Sequence, residues 1–94
     1  MNIEQLLDLA NKAIELAKFD RERFRVKAAQ HPDGSSVGIH ADTRFHFPEP
    51  GRFLTNYQPI SLEDADGIDP RQLVDIVEGA VKMLEWKVEE AGKQ

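Results

Sequence analysis

Apolar residues recur every three to four positions at both ends of this chain and every second position in its middle. Those two periods separate helix from strand. Over residues 2–19, Ile3, Leu6, Leu7, Leu9, Ala10, Ala13, Ile14, Leu16 and Ala17 fall on one half of a helical wheel. Glu4, Gln5, Asp8, Asn11, Lys12, Glu15 and Lys18 take the other half. Asn2, with Gln5 three residues on, has the spacing of a capping box. The apolar arc is wider than the ~100° stripe that one flat contact needs. It predicts a helix that touches a sheet and something more, either a second helix or another subunit.

The period then falls to two. In Arg23-Phe24-Arg25-Val26-Lys27-Ala28 the even positions are apolar and the odd ones basic, as in a half-buried strand. Pro32-Asp33-Gly34 has turn chemistry, proline presetting φ and glycine permitting a positive one. From Val37 to Phe47 the alternation resumes, with Val37, Ile39, Ala41, Thr43, Phe45 and Phe47 pointing one way. Gly38, His40, Asp42, Arg44 and His46 point the other. Pro48-Glu49-Pro50-Gly51 ends that strand, and Arg52–Gln58 gives a third, with Phe53, Thr55 and Tyr57 on its inner face. Short connections between such strands predict an antiparallel meander.

Residues 59–68 read as an acidic connection. Asp69-Pro70-Arg71-Gln72 then opens a second helix with an N-cap, proline at N1 and glutamine at N3. Its buried arc is Leu73, Val74, Ile76, Val77, Ala80, Val81, Leu84 and Val88, and it frays at Gly92. The expected architecture is a single α+β domain over residues 1–94. It has two layers in the order α-β-β-β-α, with both helices on one face of a three-stranded sheet. The uncovered face then carries Arg23, Arg25, Lys27, His40, Asp42, Arg44, His46, Arg52, Asn56 and Gln58.

Composition sharpens this picture in three respects. There is no cysteine, which removes disulfides, thiolate–metal sites and cysteine nucleophiles and fits a reducing compartment. No apolar run is long enough to span a membrane, and the N-terminus lacks the pattern of a signal peptide, so the expected location is cytoplasmic. The net charge of −5 is uneven: residues 20–58 hold six bases against five acids and all three histidines, while residues 59–94 hold nine acids against four bases. A cationic patch is therefore expected on an acidic protein, whose overall field opposes bulk attraction to nucleic acid.

Candidate chemistry follows from these faces. His40, Asp42 and His46 share a strand face, and two histidines with a carboxylate suit zinc or iron. Arg44 between Asp42 and His46 opposes a cation there, and His31 lies apart in the turn. A solvated sheet face is the plainer expectation, with no metal and no cofactor. Arg23, Arg25, Lys27, Arg44 and Arg52 could together meet phosphates, although Phe24, Phe45 and Phe47 point to the core and leave no stacking platform. The order α-β-β-β-α is also that of double-stranded-RNA-binding domains. Those carry lysines at the start of the second helix, where this chain has Asp69-Pro70-Arg71-Gln72, so the order agrees and the chemistry does not. Glu63-Asp64-Ala65-Asp66-Gly67 hints at a calcium loop, but with Gly67 at loop position six, Leu62 and Leu73 fall at the first and last ligand positions.

On the second helix, Gly79, Met83 and Trp86 stand at spacings of four and three, with Lys82 beside them, as one surface patch. Tryptophan is enriched at interface hot spots. The competing expectation is that Trp86 packs under the 59–68 connection or against the first helix. The function expected is a non-catalytic binding protein, a small acidic regulator, adaptor or inhibitor working through protein contacts, with a homodimer through the first helix as a further option. The alternatives are an anion- or RNA-binding module on the cationic sheet face, and a metal-assisted enzyme using His40, Asp42 and His46.

Overall fold

The computed structural model describes residues 1–44 and 54–93. Helix α1 (Ile3–Leu16) starts as its sequence dictates, since Asn2 Oδ1 accepts from the Gln5 N–H at 2.9 Å and Gln5 Oε1 accepts from the Asn2 N–H at 2.8 Å. It ends at Leu16, short of the expected residue 19, because the chain turns extended at Ala17. No glycine serves that end. Arg21 Nη2 donates instead to the carbonyls of Ile14, Glu15 and Ala17 at 2.9–3.2 Å, its guanidinium lying 4.2 Å over the Phe19 ring. These are carbonyls that a helix end otherwise leaves without a partner.

Strands β1 (Phe24–Gln30), β2 (Ser36–Thr43) and β3 (Thr55–Ser61) form an antiparallel sheet in the order β1-β2-β3. The β1–β2 register runs without a slip from Phe24 opposite Thr43 to Gln30 opposite Val37. The turn between them uses the expected Pro32-Asp33-Gly34, with Gly34 at φ +73°. The Asp33 carboxylate accepts from the Ser35 hydroxyl (2.5 Å), the Ser35 N–H (2.9 Å) and His31 Nδ1 (2.8 Å). The Ser35 bonds foremost, then His31, hold the Asp33 pKa down from 3.8 to about 2. A depressed carboxyl stabilises the fold above its unfolded pKa, and that contribution fades as the pH falls through about 2. Between about pH 5 and pH 2, wild type should therefore lose more stability than Asp33→Asn. Urea melts at the two pH values measure this, and equal losses would refute it.

The third strand departs from expectation in span and in face. It runs Thr55–Ser61, continuing through Pro59, and its register sets Asn56 opposite the buried Ala41 and Tyr57 opposite His40. The inward set is thus Leu54, Asn56, Gln58 and Ile60, while Thr55 and Tyr57 belong to the outer face. Proline is tolerated at position 59 because this is an edge strand, where the missing N–H would have pointed away from β2. The supposed connection contributes the end of β3 and a short helix, α2 (Leu62–Ala65), capped by Ser61.

Helix α3 (Pro70–Gly92) begins on the expected capping box, Asp69 with Gln72, and proline at its first turn. Both long helices cover one face of the sheet, α1 over β1 and β2, α3 over β2 and β3, and they pack on each other. The core lies between the layers, formed by Phe24, Val37, Ile39, Ala41 and Ile60 of the sheet with Leu6, Ala10 and Ala13 of α1 and Leu73, Val77, Ala80, Val81 and Leu84 of α3. The broad apolar arc of α1 is used within the chain, against the sheet, α3 and α2. Leu16 is the exception: expected inward, it is 70% exposed, although the following Ala17 is buried in the core.

Candidate functional site

Two surfaces carry the candidate residues, and the sheet edge β3 separates them. On the first, the outward side of α3, Trp86 is 56% and Met83 51% exposed. Neither packs under the 59–68 segment, so exposure is the outcome for Trp86. Lys82 is exposed beside them. A Cβ built on Gly79 would meet nothing within 4 Å among the described residues. Gly79, Ala80 and Met83 form one wall of a groove of about 260 Å³, with Ile76, and Asn56 and Gln58 of β3 make the other.

The groove's base is tied by polar contacts that the sequence pattern does not announce. Asn56 Nδ2 donates to the Ala80 carbonyl at 3.2 Å, and Lys87 Nζ donates to Asn56 Oδ1 and the Thr55 carbonyl at 3.3 and 3.0 Å. These bonds fix the distance between α3 and β3, so the groove is a built feature of the fold. At its other end, Ile76 also borders a hollow lined by Asp64, Asp66, Gln72 and Asp75. The surface along α3 thus passes from acidic, through apolar at Ile76, Gly79 and Met83, to Trp86. No three carboxylate or histidine groups converge as metal ligands among the described residues, which includes the Asp64–Asp66 segment.

The second surface is the uncovered sheet face. Arg25 stands opposite Asp42 and Lys27 opposite His40, with Tyr57 across from His40 on the far side. Arg23 and Arg44 are exposed where β1 begins and β2 ends. Arg52 and His46 lie outside the described residues, so the row His40-Asp42-Arg44-His46 is described only through Arg44. His40 and Asp42 are flanked by cations across β1, an arrangement that weakens any metal site between them.

Tyr57 is the residue that sequence reasoning missed here. It is 47% exposed and tilted at 50° against the His40 ring, with centroids 4.7 Å apart. The ring also lies over Gly38, whose built Cβ would collide with Cε2 and come within 3.0 Å of Cζ and Oη. An aromatic shielding a strand glycine supports the sheet where a side chain is missing. With Ala29, Gln30, His31 and Pro32, the two rings line a shallow hollow of about 340 Å³. The signal that would have found Tyr57 is the buried Ile60: counting back by two gives Gln58 and Asn56 as inward.

The Gly38–Tyr57 contact yields a directional expectation. Gly38→Ala should displace the ring tip and leave the backbone in place, so stability changes by less than about 1 kcal/mol while the His40 and Tyr57 ring resonances shift markedly. Two-dimensional NMR with a thermal melt checks both parts; unshifted rings would disprove the contact. No protein family, no curated protein and no solved structure matches the chain.

Proposed function

We propose that this domain is a non-catalytic binding protein, a small cytoplasmic regulator or adaptor, that engages a protein partner along the outward side of α3. The observation that carries this reading is Gly79. Glycine inside a helix costs about 1 kcal/mol relative to alanine, and nothing among the described residues approaches close enough to require it. Local rules broken without an internal reason tend to mark functional surface. Here the break lies beside two large apolar side chains more than half exposed, Met83 and Trp86, with a groove alongside. The acidic hollow continuing this surface favours a partner with an apolar knob and a basic rim. The absence of cysteine fits the cytoplasm. A homodimer through α1 has less support, since Leu6, Ala10 and Ala13 are buried in the core and Ile3, Leu7, Leu9 and Ile14 pack partly against it, leaving Leu16 as the exposed member of the arc.

Affinity capture from host lysate, repeated with Trp86→Ala and Arg25→Glu, tests the proposal. Trp86→Ala should weaken capture by about tenfold or more while lowering Tm by no more than a few degrees. Arg25→Glu should leave it intact. Capture that survives Trp86→Ala but fails with Arg25→Glu would move the function to the sheet face.

One observation favours that second reading. Tyr57, exposed, and the half-buried His40 against it give the cationic face an aromatic surface of the kind that base stacking uses, with Lys27 and Arg25 beside them for phosphate. Binding of this kind weakens steeply with salt, so a salt titration with single-stranded oligonucleotide separates it from Trp86-centred contact. Metal-assisted catalysis at His40 and Asp42 gains no observation in its favour.

A further inference from the structure

The sheet has two edges, β1 and β3, and they are not equally protected. Bonds from the Thr43 N–H to the Leu54 carbonyl and from the Leu62 N–H to the Ser35 carbonyl show that even-numbered residues of β3 bond to β2. Thr55, Tyr57, Pro59 and Ser61 therefore present their backbone outward. Lys87 occupies the Thr55 carbonyl, and Pro59 has no N–H to offer. A lysine and a proline are the usual means of blunting an edge.

Strand β1 carries Arg25 and Lys27 but no proline, and among the described residues no side chain occupies its outward backbone groups. The His31 N–H bonds to Ser36 and the Arg44 N–H to Arg23, so the odd-numbered residues face β2 and Val26, Ala28 and Gln30 present both N–H and C=O outward. Among the described residues no hydrogen bond reaches those groups from that side, and only Phe24, whose N–H bonds to the Asp20 carbonyl, closes the row. The β1–β2 register holds no bulge, and β1 holds no proline. On the outer face beside this edge stand Arg25 and Lys27, exposed and in no ion pair among the described residues. On the inner face Val26 and Ala28 are only half-buried.

The geometry points to β1 as a strand-addition site for an extended acidic segment of a partner protein, paired antiparallel to it. Main-chain bonds to Val26, Ala28 and Gln30 supply the attachment, as in other strand additions. Alternate side chains supply selectivity: carboxylates opposite Arg25 and Lys27, small apolar groups opposite Val26 and Ala28. A second copy of this chain fits worse, because antiparallel β1–β1 pairing centred on the strand sets Lys27 directly opposite its own copy, with Arg25 diagonal to that lysine. The site lies at the opposite edge of the sheet from the α3 groove, so it stands independently of that surface and would let one domain hold two partners.

The probe is a fluorescent peptide of alternating glutamate and valine, matched to the seven residues of β1, read by anisotropy against the full chain. Binding is expected below about 1 mM, with the matching lysine–valine peptide silent. N-methylation at the valines, whose N–H groups face the protein in antiparallel pairing, should weaken binding about tenfold or more. N-methylation at the glutamates should not. Amide exchange should slow at Val26, Ala28 and Gln30, and Arg25→Glu with Lys27→Glu should abolish the effect while leaving the melt unchanged. No binding, equal sensitivity to both methylation patterns, or protection at β3 would each overturn the proposal. So would a concentration-dependent dimer protected at these same amides.

Discussion

Phe24→Ala is expected to remove about 3–5 kcal/mol of folding stability, the largest loss of any single aromatic truncation in the described chain. Phe24 is 1% exposed, the largest of the fully buried side chains, and stands at the first position of β1 with its ring in the seam between sheet and helices. Its environment has little freedom to collapse. Its N–H is held by Asp20, the Arg23 guanidinium lies 5.0 Å over the ring, and the opposite residue, Thr43, is fixed through Oγ1 to the Leu54 N–H at 3.1 Å. The void left by alanine would therefore persist. Domains of this size are stable by only about 5–15 kcal/mol, so Tm should fall on the order of 20 °C. Tyr57→Ala, on the same sheet but its open face, is expected to cost only about 1 kcal/mol. Paired urea melts decide the matter: a larger loss for Tyr57→Ala would mean the two faces are wrongly assigned.

Where one face of an element was uniformly apolar, the sequence was readable directly. The wheel of α1, the alternation of Arg23 to Ala28 and the arc of α3 each predicted the buried side, and both capping boxes predicted where helices begin. The strand β3 was not readable that way. Its inward set, Leu54, Asn56, Gln58 and Ile60, has two amides at its centre, while the outward Thr55 and Tyr57 have higher strand propensity. The amide at 56 is tolerated inside because Ala80 and Lys87, far along the chain, satisfy it. Only the folded register discloses that pairing. The end of α1 is likewise set from a distance, by Arg21 and by Glu78, whose carboxylate accepts the Lys18 N–H at 2.6 Å.

The candidate surfaces divide in the same manner. Helical spacing placed Gly79, Lys82, Met83 and Trp86 together, but spacing does not weigh exposure against packing, and that depended on where residues 59–68 went. They turned into β3 and α2, leaving Trp86 open. On the sheet, Arg25, Lys27, His40 and Asp42 lie on the outer face as their alternation indicated. Tyr57 joins them only because β3 is inverted relative to its apolar pattern, and Asn56 and Gln58 leave that face for the groove.

The second large effect is one in which stability and binding should move in opposite directions. Gly79→Ala and Gly79→Gln both relieve a glycine in the exposed middle of α3, and among the described residues no atom lies within 4 Å of the new Cβ. Each should raise stability, by about 1 kcal/mol for alanine and about 0.5 kcal/mol for glutamine, or a few degrees in Tm. If a partner approaches the helix backbone at Gly79, between Met83 and the wall formed by Asn56 and Gln58, its affinity should fall with the size of the added side chain. Alanine then costs a few-fold and glutamine about tenfold or more. Lys82→Ala, on the same face but away from the groove, controls for a general change of α3 and should alter stability by no more than about 0.5 kcal/mol. A generic loss of structure would lower Tm and affinity together, which the expected signs exclude. Titration of each variant with the captured partner, followed through Trp86 as the single tryptophan of the chain, gives the affinities. Unchanged affinity across the series would take Gly79 off the docking surface and leave its glycine without a functional reason.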